Sequence, residues 1–234
     1  VYVAGNFSTI NGVARSRIAR LRISDGSVVE SFDAGAVTGA IRDAALRDGR
    51  LWIAGAFTHL GGSPQRALAT LDPTTGKRTR FITNTFAGTQ IGRGVTQVLK
   101  LDVTPAGDKL VAIGNFASVD GVAARQLVMF DISGASAVRD SFNTNFYAFQ
   151  CSTSFESYMR DVDFSPDGKF FVVTTTGGWG GADAPCDTIA RFETDGTSGP
   201  NQPSWLASSG GDTMQAVDVS ERVVYVGGHF RWMN

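Results

Sequence analysis

The residues of this 234-residue chain that could do chemistry are few: two cysteines, two histidines and scattered aspartates. His59 and His229 could each offer an imidazole nitrogen to a metal, but no H-x-H, H-E-x-x-H or C-x-x-C spacing accompanies them. Asp161 with Asp163, and Asp183 with Asp187, are spaced carboxylate pairs that could contribute to calcium binding. Calcium takes about six to eight oxygens, so a lone pair leaves most of its shell unfilled. No G-x-S-x-G elbow is present, and no Ser, His and Asp can be singled out as a nucleophilic set. No catalytic residue, metal ligand or cofactor is therefore expected, with Ca2+ the one open alternative. Asn6-Phe7-Ser8 fits the N-glycosylation pattern, but it also belongs to a repeated motif and is read as incidental.

Binding chemistry is better represented than catalysis. Phe146, Tyr147, Phe149, Phe155, Tyr158, Trp179 and Trp205 crowd into the second half of the chain. Trp179 stands in Gly177-Gly178-Trp179-Gly180-Gly181, a presentation with no bulky neighbour to cover the ring. Aromatic faces bury area at low entropic cost, which suits a sugar or a peptide. The competing reading is that these rings plug gaps in the fold. The ligand candidates are Trp179, Tyr147, Phe149, Tyr158 and Trp205, joined by Arg42 and Arg160, which recur with Asp43 and Asp161 as Arg-Asp pairs.

What positions these residues is an internal repeat. Leu51–Gly62 reads L-W-I-A-G-A-F-T-H-L-G-G, Val1–Gly12 reads V-Y-V-A-G-N-F-S-T-I-N-G, and Leu110–Gly121 reads L-V-A-I-G-N-F-A-S-V-D-G. Val224 onward reads V-Y-V-G-G-H-F-R-W-M-N, and Phe170–Thr176 (F-F-V-V-T-T-T) is a decayed copy, read with Thr174 in the Gly place and Thr176 in the Phe place. A period of roughly 50–60 residues marks an array of supersecondary units.

Each unit reads as four short strands, a to d. In the clearest one, Ile41–Leu46 is followed by the turn Arg47-Asp48-Gly49-Arg50, and Leu51–Phe57 is rich in β formers. Arg66–Leu71 alternates, Asp72-Pro73-Thr74-Thr75-Gly76 turns, and Lys77–Ile82 closes the unit. No stretch sustains a helical apolar period. Four antiparallel strands per unit describe a blade, and the expectation is an all-β β-propeller of four-stranded antiparallel blades. The expected blades are 1–33 (lacking its first strand), 40–82, 95–142, a degenerate 158–205, and 214–234 as the first half of another. The array is thus expected to be incomplete at both ends and part of a longer chain. Within it, the Gly lets a neighbouring backbone approach, and Phe7, Phe57, Phe116 and Phe230 pack between blades. The Arg42-Asp43 and Arg160-Asp161 pairs fall on the innermost strand. They are read as structural ion pairs near a central channel, with an anion-binding channel as the sharper alternative.

Blade topology also sorts the loops. Connections a–b and c–d share one face of the disc and are expected to be tight; b–c and d–a share the other. Phe86–Gly94, Asn143–Ser157, Gly177–Asp187 and Gly199–Asp212 are read as long loops of that second face, where binding on a rigid scaffold usually resides. Cys151 and Cys186 then project from this same face within one blade's width. They are expected to form a disulfide closing roughly 35 residues, worth about 3–4 kcal/mol by chain entropy. A disulfide implies an oxidising, extracellular setting.

Composition narrows the partners. A formal charge of −1 supplies no basic field for nucleic acid or an anionic membrane. With 42% hydrophobic and 18% charged residues the chain can fill a core, and no apolar run approaches the ~20 residues of a membrane helix.

Written out from Val1 to Phe32, the unit V-Y-V-A-G-N-F-S-T-I-N-G-V-A-R-S-R-I-A-R-L-R-I-S-D-G-S-V-V-E-S-F resembles the delta-60 repeat family of predicted β-propellers. The ending Y-V-G-G-H-F-R-W-M-N is similar to copies of that repeat in large secreted or cell-surface bacterial proteins. The resemblance implies architecture and an extracellular setting, and carries no catalytic motif. S-P-D-G-K at Ser165 also occurs in WD-repeat and lactonase-like propellers. The leading expectation is a non-enzymatic module for binding or adhesion, or a structural unit of a larger surface protein, meeting a glycan or protein ligand on the long-loop face. Other domains of the same longer chain are expected as neighbours. A propeller enzyme (hydrolase, lyase or quinone-dependent dehydrogenase) with a site at the channel mouth is the alternative from another class. A third reading is a repeating subunit of a polymeric surface assembly, joined through exposed edge strands.

Overall fold

Each repeat folds by pairing strands that follow one another in sequence. The computed structural model of the chain describes residues 1–181, 183–196 and 199–233. Asn234, the last residue of the expected fifth unit, lies outside them, as does position 182 of the loop 177–187.

In the first unit β1 (Tyr2–Ala4) pairs antiparallel with β4 (Ile18–Arg20), and a hairpin of β2 (Thr9–Ile10) and β3 (Val13–Ala14) connects them. The second unit carries β5 (Val37–Thr38), β6 (Ile41–Arg47), β7 (Arg50–Gly55), β8 (His59–Leu60), β9 (Ser63–Pro64) and β10 (Leu68–Leu71), with β6, β7 and β10 as its blade. The third adds β11 (Phe86–Ala87), β12 (Gln97–Val103), β13 (Lys109–Asn115), β14 (Ser118–Val119), β15 (Val122–Ala123), β16 (Leu127–Asp131) and β17 (Val138–Arg139). Its sheet runs β12-β13-β16-β17, the full order a-b-c-d. The fourth follows a 3-10 turn, Phe146–Ala148, with β18 (Met159–Phe164), β19 (Phe170–Thr175), β20 (Thr188–Glu193) and β21 (Trp205–Ser208), again in sequence order. Finally β22 (Thr213–Val219) pairs with β23 (Val224–His229). The chain is a β-propeller of antiparallel blades, with no α-helix among its described residues.

In the second, third and fourth blades the second strand is buried on both faces, which is why it reads as a nearly unbroken apolar run. Alternation divides its side chains between two cores. On β13, Leu110 and Ala112 enter the core shared with the second blade, whereas Val111 and Ile113 enter the core shared with the fourth. Likewise Trp52 and Ala54 of β7 face forward, and Leu51 and Ile53 face back toward the first unit. Phe57 and Phe116 are fully buried between blades, as expected; Phe7 and Phe230 are half-buried.

The glycine of the motif has a specific partner. Every first strand from β6 onward carries a bulge near its start, after Ile41, Val98, Met159 and Met214. The backbone of that bulge presses on Gly55, Gly114 and Gly228. A Cβ on Gly55 would meet Ile41 Cα at 2.9 Å, and one on Gly114 would meet Val98 Cα at 2.8 Å.

Carboxylates tie neighbouring innermost strands together. Asp43 accepts the Leu101 N–H (3.0 Å), Asp102 the Phe164 N–H (2.8 Å), Asp161 the Val217 N–H (3.0 Å) and Asp163 the Val219 N–H (2.6 Å). These bonds join blades whose first strands do not pair directly.

Three expectations need correcting. The last strand is full-length only in the fourth blade: β17 has two residues, and the second unit has a single bridge, Leu71 to Arg78, in place of the strand expected over Lys77–Ile82. Second, Gly199–Asp212 is not one loop, because it contains β21; the fourth blade therefore ends at Ser208, and one of its long connections lies between strands c and d, on the face expected to hold only tight turns. Third, the decayed repeat is shifted by one residue. Met159 pairs with Thr175 as Ile41 pairs with Gly55, so Thr175 takes the Gly place and Gly177 the Phe place.

Candidate functional site

The face carrying the b–c and d–a connections is built two ways. In the first three units the b–c connection is a two-residue hairpin. Its turn residues, Asn11-Gly12, Gly61-Gly62 and Asp120-Gly121, have φ of 50 and 77°, 54 and 79°, and 51 and 76°. That pair of positive values matches the right-handed twist of the flanking strands, and Asn-Gly, Gly-Gly and Asp-Gly tolerate it. In the second and third units the preceding d–a segment adds a strand, β5 on β8 and β11 on β14, so the face is sealed by a small three-stranded sheet.

The fourth blade has no such hairpin. The described residues of the loop 177–187 are held instead by the bond between Cys151 and Cys186, the pair expected from sequence. Cys186 is fully buried and Cys151 nearly so. Together with Tyr147 and Tyr158 they complete the core between the third and fourth blades. A Cβ on Gly177 would meet Cys151 Cβ at 2.5 Å, so the disulfide fills the space a phenylalanine takes elsewhere. Asp187 keeps the left-handed step before the third strand (φ 54°) that Arg17, Ala67 and Gln126 make at 64, 66 and 65°. Its carboxyl is buried, and burial pushes its pKa up. Asp183, by contrast, is exposed on the loop.

The aromatic candidates separate by depth. Tyr147 and Tyr158 are core residues: Tyr158 Oη donates to the carbonyls of Tyr147 and Phe149 at 2.7 and 2.8 Å, and neither ring is offered to a ligand. Burial drives both phenols well above the ordinary tyrosine range. Phe149 and Trp179 are exposed, at 46% and 58%, and border an open cleft of about 300 Å3. Gln150, Ser152, three glycines and the disulfide line the rest. Trp205 is exposed too, but on β21, where it lines a separate cleft with Phe170, Arg191 and Val224.

Trp232, which sequence reasoning did not single out, packs at the Gly210-Gly211 turn, which also approaches Trp179. A methyl group on Gly210 would overlap its ring, while one on Gly211 would lie 3.8 Å from Trp179 Cβ. Two indoles thus flank one Gly-Gly turn. The available signal was its place in the repeat: Phe230-Arg231-Trp232 aligns with Phe57-Thr58-His59, the first hairpin strand. Trp232 is 54% exposed. His229 Nδ1 stands 4.0 Å from Asp212 Oδ1 in the same neighbourhood, and His59 is exposed on β8 in the second unit, so the two histidines serve different blades.

The expected Arg-Asp ion pairs are not formed. Arg42 is exposed. The Arg160 guanidinium donates to the Ser157 and Met159 carbonyls at 3.1 and 2.8 Å and lies over the Phe155 ring. Lys100 takes the bridging role instead, 3.9 Å from Asp43 and 3.6 Å from Asp161. Further along the innermost strands, Asp102 and Asp163 are neighbours from adjacent blades. Burial raises both, and repulsion from Asp102 and Asp218 helps hold Asp163 up to about 7. Among the described residues no group of three or more His, Cys, Asp and Glu side chains is arranged to hold a metal ion.

Comparison with known proteins places the chain among propellers. Residues 1–32 match a family described as a domain of unknown function (DUF5122) beta-propeller. No curated protein matches. The β-propeller domain of Cps50 (Swd1) from Myceliophteria thermophila is similar in structure, with a TM-score of 0.52 over 90% of this chain at 13% identity. That likeness shows the fold alone, and the chain spans 55% of the Cps50 chain. No helix among the described residues is long and apolar enough to cross a membrane.

Proposed function

We propose that the chain is an extracellular, non-enzymatic binding or adhesion module within a longer surface protein, and that it engages a glycan or protein ligand on the fourth-blade face. One observation carries the reading. Where the first three units seal this face with a hairpin, the fourth opens a cleft whose rim exposes Phe149 and Trp179 and whose wall is the disulfide. Water-exposed rings on a scaffold this rigid cost hydration free energy, which a docked ligand recovers. The disulfide favours an oxidising compartment. With a net charge of −1, nucleic acid is a poor partner, and membrane insertion has no apolar helix to support it. An array of glycans, peptides and extracellular proteins, probed with the parent chain and Trp179→Ala, tests this. At least one class should bind and lose signal with the variant; equal signals from the two proteins would remove this face as the binding surface.

The channel carboxylates favour a second reading, the enzyme. Asp102 and Asp163 converge from different blades and both are raised by burial, with Asp163 up to about 7, as a general acid would need. Yet each also accepts a backbone N–H from the neighbouring blade, a role that structural need alone explains. The binding reading therefore ranks first. Hydrolysis of a glycoside or ester panel that disappears in Asp163→Asn would reverse the order.

A further inference from the structure

We infer that the fourth-blade cleft takes a neutral carbohydrate, with sugar rings stacked on Trp179 and Trp232. The inference rests on the proposal that this face binds a ligand and names the ligand's class. Three observations carry it. The first is the pair of indoles, 58% and 54% exposed, that flank the turn Gly210-Gly211. Gly210 lets the Trp232 ring edge pack directly on the turn, where a side chain would collide with it, and Gly211 adds no side chain beside Trp179. Pyranose rings present an apolar C–H face, and such a face packs on the electron-rich surface of an indole.

The second observation is charge. The cleft beside Trp179 is lined by Phe149, Gln150, Ser152, glycines and the disulfide, without an ionisable side chain. Phosphate, sulfate or an acidic peptide would find no counter-charge there, whereas the amide and hydroxyl suit sugar hydroxyls. The third is size. About 300 Å3 is the lower end of the range for small-ligand sites and would hold one or two sugar units. A protein partner needs about 800 Å2 on each side with a buried apolar centre, and the exposed rings here are interrupted by glycines and polar groups.

The test uses the 234-residue chain with its disulfide intact. Neutral hexasaccharides (cellohexaose, chitohexaose, mannohexaose, xylohexaose and laminarihexaose) are titrated by calorimetry and by quenching of tryptophan fluorescence, beside a sulfated oligosaccharide. At least one neutral probe should bind, and Trp179→Ala and Trp232→Ala should each weaken it about tenfold or more, the scale of one lost stacking contact. Trp179→Phe should retain part of the affinity, and Trp205→Ala should leave it unchanged. Failure of every neutral probe overturns the inference, as does a preference for the sulfated one or binding that ignores both indole variants. If saccharides fail while a peptide or protein binds in a Trp179-dependent way, the sugar assignment falls and the binding face stands.

Discussion

The third and fourth blades share one plan and differ in how they are closed. Both are four-stranded in sequence order, both carry the bulge in the first strand, and both enter the third strand through a left-handed residue, Gln126 or Asp187. Above the third blade, Phe116 packs edge-on against Phe86 at 5.1 Å and a hairpin covers the pair. Above the fourth, Gly177 stands in the Phe position and the Cys151–Cys186 bond, with Tyr147 and Tyr158, takes up the volume. A covalent seal replaces an aromatic one. The replacement frees the connecting loop from hydrogen-bonded pairing, and that loop is where an indole can be held out to solvent.

If the two seals are equivalent, their removal should cost comparable amounts. Phe116→Ala should be the most damaging change, about 3–5 kcal/mol for a buried phenylalanine, read from urea unfolding. The double change Cys151→Ser with Cys186→Ser should follow at about 3–4 kcal/mol for a loop of this length. A cost below about 1 kcal/mol would mean that the disulfide only tethers surface loops, and the comparison would break. Gly114→Ala should cost about 1–3 kcal/mol through overpacking against the bulge, measured in the same way.

The channel pair sharpens the comparison further, because Asp102 and Asp163 belong to the third and fourth blades. Asp163 is raised from an ordinary 3.8 to about 7, so the folded chain binds its proton more tightly than the unfolded chain does. Stability from this group is complete below about pH 4 and is lost as pH rises through about 7. Asp163→Asn keeps an acceptor for the Val219 N–H and should flatten that decline, leaving the variant at least as stable as the parent above pH 7. Thermal unfolding across pH 4–8 would reveal a retained slope if some other group were responsible. Smallest of all, Trp179→Ala and Trp205→Ala should shift stability by no more than about 0.5 kcal/mol, as expected for exposed side chains.

Much of this was legible beforehand. The repeated Gly-x-Phe motif announced blades, and the placement of Cys151 and Cys186 on one face anticipated their bond. Asn11-Gly12, Gly61-Gly62 and Asp120-Gly121 are hairpin signals, but they lie inside the motif and read as part of it. The shift to Gly177 could not be read from the letters: without Gly or Phe as a landmark, one register of F-F-V-V-T-T-T is as good as the next. Trp205 reads as a loop residue because β21 follows a polar Gly-Pro-Asn-Gln-Pro stretch and is only four residues long.

Residue order alone determined the strand plan, since alternating apolar letters and turn residues act over a few neighbours and need no distant partner. The depth of each aromatic ring was decided only by tertiary packing. Tyr147 and Trp179 are both large, both aromatic and both in loops of one blade, yet one is sealed and the other is exposed. The physical reason is volume: the gap left by Gly177 admits a disulfide and two tyrosines, and the next ring along the loop has no space left to enter.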